Sequence, residues 1–160
     1  MLPKISISEI DKQYPAYFSF VISFTPSDKR YLVGIENEFS KLNDENLKAR
    51  ICFFDGSKKG LSDYVGVLNS ATLFVGPSTG PLHLSNILGR SLVGIYSPIK
   101  VQSIQRWGPW FGEQNNCRVI TPEVACAETF ECAKSACRHY ECMAKIELIK
   151  VLKLVKEIIA

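Results

Sequence analysis

Leu73-Phe74-Val75-Gly76-Pro77-Ser78-Thr79-Gly80-Pro81-Leu82-His83 carries three signals in succession. Leu73, Phe74 and Val75 are a short apolar run bounded by turn formers, the pattern of a strand covered on both faces. A tight Gly/Pro loop comes next. Pro81 suits the first helical position, where its missing N–H would lack a helical partner anyway, and Thr79 or Gly80 can cap. The helix then runs on through Leu84 to Leu88. Its first-turn N–H groups would point out of the carboxyl end of the strand, which favours an anion there, phosphate above all. In an open α/β sheet ligands generally bind at that edge. His83 falls in the first turn, close to such an anion. The same stretch also fits a plain strand-to-helix corner whose histidine caps or packs, and one Gly-rich turn does not decide between the two.

Outward from this corner, apolar runs alternate with helical patterns. Phe18 to Thr25 is aromatic and β-branched, as strands are, yet Pro15 can open a helix with Phe18, Val21 and Ile22 on one face. Arg30 to Val33 reads as a strand, Gly34 to Asn37 as its exit loop, and Glu38 to Leu47 as a polar surface helix. Ile51 to Phe54 is a further strand, closed by the turn Asp55-Gly56-Ser57. Ser62 can cap a helix with Tyr64, Val65, Leu68 and Ala71 at helical spacing. The exposed pair Lys58 and Lys59 before it is most simply solvated. Ser91 to Tyr96 is another strand. Strands alternating with helices through short loops predict an α/β fold with a doubly wound parallel sheet.

Between Pro98 and Cys117 a loop carries Arg106-Trp107-Gly108-Pro109-Trp110-Phe111. An arginine beside aromatics can clamp a sugar or a phosphate; tryptophans that staple the loop to the sheet account for the aromatics alone. Lys145 to Ala160 is an amphipathic helix. Leu148, Val151, Leu152, Leu154, Val155, Ile158 and Ile159 share one side, and Lys145, Lys150, Lys153 and Lys156 the other. Docking on the sheet explains that pattern more simply than an anionic membrane surface does.

With 160 residues the chain has room for one domain with a proper core. A net charge of +3 is too mild to argue for nucleic acid. No apolar run reaches the roughly 18 to 20 residues of a membrane span, and Met1-Leu2-Pro3-Lys4-Ile5 lacks the apolar core of a secretory signal. The expectation is a soluble cytoplasmic domain. In that compartment the cysteines Cys52, Cys117, Cys126, Cys132, Cys137 and Cys142 should be thiols. Cys126-x5-Cys132-x4-Cys137-x4-Cys142 lacks the close pairs of common zinc sites, so a four-thiolate metal site is the minor alternative, and His139 reads as a surface residue.

The run from Ala71 to Gly89 resembles the signature of the heptosyltransferases, glycosyltransferase family 9. In that family a strand ends in Asp/Ser-Ser/Thr-Gly-Pro-x-His; here the residues are Ser78-Thr79-Gly80-Pro81-Leu82-His83. The resemblance continues through Ser91 to Pro98 and into Arg106-Trp107-Gly108-Pro109, and it is specific from Gly60 to Pro109. It favours the helix over the strand at Phe18 to Thr25. It implies the carboxyl-terminal, donor-binding half of a GT-B fold, a Rossmann-like parallel sheet with helices on both faces. One nucleotide-sugar-binding domain would then cover residues 1–160, with 1–29 the least readable part, a Cys-rich segment at 112–143 and the terminal helix at 144–160.

The implied reaction is inverting, metal-independent transfer of a sugar from a nucleotide-sugar, typically ADP-heptose, to a lipopolysaccharide core or other glycan acceptor, with no cofactor. Ser78, Thr79, Gly80, Pro81, His83 and Arg106 are the implied donor-binding residues, with Glu36 of Gly34-Ile35-Glu36 on the ribose. Ser78 stands where many members carry an aspartate. The family's general base, an aspartate, belongs to its amino-terminal domain, so no catalytic residue is expected in this chain. A truncated transferase that needs an amino-terminal acceptor-binding domain or a second copy is one expectation. A non-catalytic nucleotide-sugar-binding module with a separate partner chain is the other. Either would work in the cytoplasm, at the inner face of the inner membrane. The Cys-rich stretch ending in Cys142-Met143 has its like in the family, with no catalytic role implied.

Overall fold

The computed structural model describes residues 18–110 and 116–159. The expectations for Met1 to Ile5, Pro15, Phe111, the start of the Cys-rich segment and Ala160 lie outside these residues. The described chain divides into two compact units, one up to Val65 and one from Gly66 onward, and the division falls within the helix Leu61–Ser70.

The unit up to Val65 holds strand β1 (Phe20–Phe24), helix α1 (Lys29–Ser40), helix α2 (Glu45–Ala49) and strand β2 (Ile51–Asp55). The two strands pair in parallel, from Phe20 opposite Ile51 to Phe24 opposite Asp55. The aromatic and β-branched composition of Phe20–Phe24 therefore wins, and the helix that the resemblance favoured there is overturned. Arg30 to Val33 and the supposed exit loop Gly34 to Asn37 are all inside α1, which corrects both expectations. The cause is a start signal just upstream. The Asp28 carboxylate accepts from the Thr25 N–H at 2.9 Å and the Thr25 hydroxyl at 2.7 Å, with Pro26 next in the chain. This reciprocal cap commits the downstream residues to helix, and Tyr31-Leu32-Val33 turns only Leu32 inward. The expected helix from Glu38 to Leu47 is instead broken after Ser40, and α2 restarts where Asp44 accepts from the Leu47 N–H at 3.0 Å. The turn after β2 is as expected: Asp55 accepts from the Ser57 N–H at 3.0 Å and the Ser57 hydroxyl at 2.6 Å.

Helix α3 (Leu61–Ser70) begins one residue before Ser62, which is therefore inside it rather than its cap. From Gly66 onward come β3 (Leu73–Pro77), α4 (Gly80–Ile87), β4 (Ser91–Ile95), a short α5 (Ile104–Trp107), β5 (Cys117–Ile120) and α6 (Leu148–Ile159). Strands β3, β4 and β5 form a parallel sheet in that order. β5 lies where the sequence offered only a loop and its end. Its four residues, Cys-Arg-Val-Ile, are too short a run to stand out as a strand by themselves.

The centre of this unit is β4, buried on both faces. Leu92 and Tyr96 meet Leu82 of α4 and Cys117 of β5, with Phe74, Ile104 and Val119 packed around them. Val93 and Ile95 alternate to the other face. Helix α6 contacts β4 and buries Val151, Leu152 and Val155. The apolar side of the terminal helix is thus spent on the sheet, as its pattern suggested. Gly76 and Gly94 are register partners on β3 and β4. A Cβ on Gly94 would lie 2.7 Å from Tyr96 Cε2 and 2.9 Å from Leu82 Cδ1, so the missing side chain is what lets α4 seat on the sheet.

Candidate functional site

The strand-to-helix corner at Ser78 is built as β3, a two-residue turn and α4. Ser78 is tied to the neighbouring strand by its N–H, which donates to the Ile95 carbonyl at 3.0 Å. Thr79 is the N-cap in extended conformation, but its side chain does not cap; the hydroxyl turns back to the Pro77 carbonyl at 3.4 Å. Pro81 is the second residue of α4, not the first, and its missing N–H is still among those a helix start leaves unmatched. The Leu82 and His83 N–H groups both turn to the Thr79 carbonyl, at 3.0 and 3.3 Å. Thr79 and Gly80 are exposed, and among the described residues nothing accepts from the Gly80 N–H.

Gly80 has no structural need to be glycine. Its backbone is not in the left-handed region, and a Cβ there would meet nothing within 4 Å. Gly89 differs: with φ 71° it closes α4 in the left-handed conformation that glycine favours. A glycine that neither folds nor packs the chain is what close approach of a ligand to the backbone calls for.

Ser78 is less free than its place in the motif suggested. Its hydroxyl lies near the phenol of Tyr96, a fully buried residue. Burial pushes the Tyr96 phenol above its ordinary pKa, against the pull of Ser78. The Tyr96 hydroxyl in turn donates to the Trp107 carbonyl at 2.8 Å. Tyr96 thus ties the end of β4, beside the Ser78 corner, to α5.

His83 and Arg106 both reach the Trp107 side chain. The His83 imidazole lies 6.1 Å from the indole centroid, tilted by 55°, and the Arg106 guanidinium 5.8 Å away. The structure therefore brings Ser78, Thr79, Gly80, Pro81, His83 and Arg106 into one neighbourhood. Glu36 is different: it lies in the other unit, exposed and inside α1, not at the carboxyl end of a strand as expected.

The loop after α5 is fastened by Asn86, a residue that the sequence did not single out. Buried Asn86 of α4 accepts from the Trp110 N–H at 2.8 Å and donates to the Trp110 carbonyl at 3.1 Å and the Cys117 sulfur at 3.5 Å. A polar side chain one turn after His83 in an otherwise apolar helix was the available signal. The tryptophan rings are not buried against the sheet. Trp107 is 49% exposed and Trp110 75%, and the loop is held by their backbones and by the Trp107 Nε1–H.

All six cysteines, Cys52 in β2 and the five of the Cys-rich segment, are free thiols. The early part of that segment pairs with the loop before α5, the Lys100 and Val101 N–H groups donating to the Glu128 and Thr129 carbonyls at 3.3 and 2.9 Å. Burial pushes the Cys142 thiol up, and Cys132, Cys126 and Cys137 push it the same way, so the four lie near one another. Among the described residues no group of three or more His, Cys, Asp or Glu is arranged to hold a metal ion. No described helix is long and apolar enough to cross a membrane.

Parallel strands, helices packed on them and an open helix start at a strand's carboxyl end define an α/β protein with a Rossmann-like sheet. The chain belongs to glycosyltransferase family 9 (heptosyltransferase), whose family model matches residues 10–137. Two proteins of Campylobacter jejuni named lipooligosaccharide heptosyltransferase 2 are similar to it. One is 22% identical over 98% of this chain and 49% of its own length, the other 23% identical over 74% of this chain and 34% of its own. Among solved structures, E. coli ADP-heptose LPS heptosyltransferase II superposes with a TM-score of 0.67 at 20% identity, over 98% of this chain and 41% of that one. It shares the fold, a GT-B-like arrangement of parallel strands and helices. The chain spans less than half the length of each of these relatives.

Proposed function

We propose that this chain binds the nucleotide-sugar donor of a glycosyl transfer, ADP-heptose in the first instance, with the donor's diphosphate at the N-terminus of α4. The transfer is inverting and needs no metal, and the acceptor is a lipopolysaccharide core, handled by an amino-terminal domain or a second chain at the inner face of the inner membrane. The open position at Gly80, inside the Ser78-Thr79-Gly80-Pro81-Leu82-His83 motif of the family, carries this reading. The free Gly80 N–H at the helix start and the Arg106 guanidinium take up the charge that develops on the departing diphosphate, the role a metal plays in other transferases. Ser78, held by its N–H on the Ile95 carbonyl, and His83 position the sugar side of the pyrophosphate. Neither Ser78–His83 nor Ser103–Trp110 includes a carboxylate, so these residues bind and stabilise rather than take the acceptor's proton. Glu36 keeps the ribose role that the resemblance gives it as a separate proposal, tested by Glu36→Gln alone.

Calorimetric titration with ADP, UDP and ADP-heptose, without added metal, tests the reading. ADP compounds should bind in preference to UDP. Gly80→Ala should weaken them while leaving the fold intact, because its methyl group meets open space in the free protein and the phosphate in the complex. Equal affinity of Gly80→Ala and the unaltered chain for ADP would remove the diphosphate from this helix.

A further inference from the structure

We infer that Trp107 is a contact residue for the ring system of the bound ligand, its indole lying against a flat face of the nucleotide-sugar whose diphosphate sits at α4; the inference rests on the function proposed above. The indole is 49% exposed, a large apolar surface left in water. An idle surface ring would be free to turn. Trp107 is not: its Nε1–H donates to the Val101 carbonyl at 2.9 Å, its N–H to the Ser103 carbonyl at 3.0 Å, and its carbonyl accepts from the buried Tyr96 hydroxyl at 2.8 Å. Ring and backbone are both fixed in advance, so contact with a ligand costs little further ordering.

Its place is as specific as its anchoring. The indole stands beside His83, the fourth residue of α4, and beside Arg106, at 6.1 and 5.8 Å, and still keeps half its surface open. A helix start and a cation hold phosphate; an ordered indole next to them holds a ring attached to that phosphate. Trp110 is the contrast, more exposed at 75% and tied to Asn86 through its backbone. The shared ligand chemistry is a planar or C–H-rich ring face, which a purine base and a pyranose both present.

The test measures binding of inorganic pyrophosphate, ADP and ADP-glucose to the full chain and to Trp107→Ala, Trp107→Phe and Trp110→Ala. Base stacking on an aromatic is lost on truncation by a factor on the order of ten or more. Trp107→Ala should therefore lose about tenfold in ADP affinity if the base is the ring in contact. If the sugar is, it should lose that factor for ADP-glucose while ADP is unchanged. In either case pyrophosphate binding should not move, Trp107→Phe should retain most of the affinity, and Trp110→Ala should match the unaltered chain. An equal loss for all three ligands would assign Trp107 a structural role only, and no loss for any would also overturn the inference. Should Trp107→Ala fail to fold, Trp107→Phe and ligand quenching of indole emission in Trp110→Phe decide the matter, absence of quenching counting against it. If the unaltered chain binds none of the three ligands, the proposed function fails first and this inference falls with it.

Discussion

Replacing Gly94 with alanine puts a methyl carbon into the best-packed point of the unit from Gly66 onward. The new Cβ would lie 2.7 Å from Tyr96 Cε2 and 2.9 Å from Leu82 Cδ1, where about 3.5–4.0 Å is comfortable for carbon atoms. Both neighbours are fully buried, and Tyr96 is also tied by its hydroxyl to Trp107. Neither can retreat into solvent, so α4 or the Tyr96 ring must shift by roughly 1 Å, an overpacking that costs about 1–3 kcal/mol. For a chain of this size that corresponds to a fall in Tm of about 2–4 °C per kcal/mol. The assay is urea unfolding followed by the emission of Trp107 and Trp110, both in this unit. The midpoint should fall with the slope unchanged. Because moving Tyr96 also pulls on Trp107, ADP affinity should fall in the same protein. Gly66→Ala is the matched control: it sits in α3 with nothing within 4 Å of its Cβ, and should gain about 0.5–1 kcal/mol as glycine leaves a helix. An unfolding midpoint for Gly94→Ala at or above that of the unaltered chain would refute the packing argument.

Three further outcomes are expected. Tyr96→Phe keeps the ring but strands the Trp107 carbonyl, so it should cost about 1–3 kcal/mol and weaken ADP binding; unchanged binding by calorimetry would uncouple Tyr96 from the site. Asn86→Ala removes the two bonds to Trp110 and the one to Cys117, and should cost a similar about 1–3 kcal/mol, with faster hydrogen exchange at Trp110; an unchanged exchange rate there would show that the loop is held by something else. Burial raises Tyr96, Cys117 and Cys142 alike, so each holds its proton more tightly folded than unfolded. Their contribution is complete below the unfolded values and is lost as pH climbs, so stability should decline above about pH 8.5. Urea midpoints that stay level from neutral pH to pH 10 would contradict it.

How far the sequence could be read depends on where its signals were local. Leu73 to His83 was legible because strand, turn and helix each had a residue type that only one conformation favours: apolar run, paired Gly/Pro, Pro near a helix start. The terminal helix was legible because its apolar period is long and unbroken. Arg30 to Val33 was misread because Tyr31, Leu32 and Val33 have strand propensity over a short window, while the commitment to helix sat at Thr25 and Asp28, outside it. β5 was missed because four residues carry too little pattern until β4 is beside them. Within the candidate site, the residues of the corner were named from the motif. The residues that hold them, Tyr96 and Asn86, were not, because a buried hydroxyl or amide finds its partner across the fold, Trp107 and Trp110 being eleven and twenty-four positions away. The same distance in sequence hid that the tryptophan backbones and the Trp107 Nε1–H fix the loop while the ring faces stay exposed.

Asn86 meets Trp110 with one donor and one acceptor, the way a neighbouring strand's peptide group would. That turns a helix and a loop from separate parts of the chain into a single cassette. Grafting Ser78 to Gly89 onto another α/β scaffold would carry the anion turn but lose the geometry of Arg106 and Trp107. A chimaera that exchanges α4 together with Ser103 to Trp110 would keep it, and is the smallest exchange between family members that should transplant ligand preference intact.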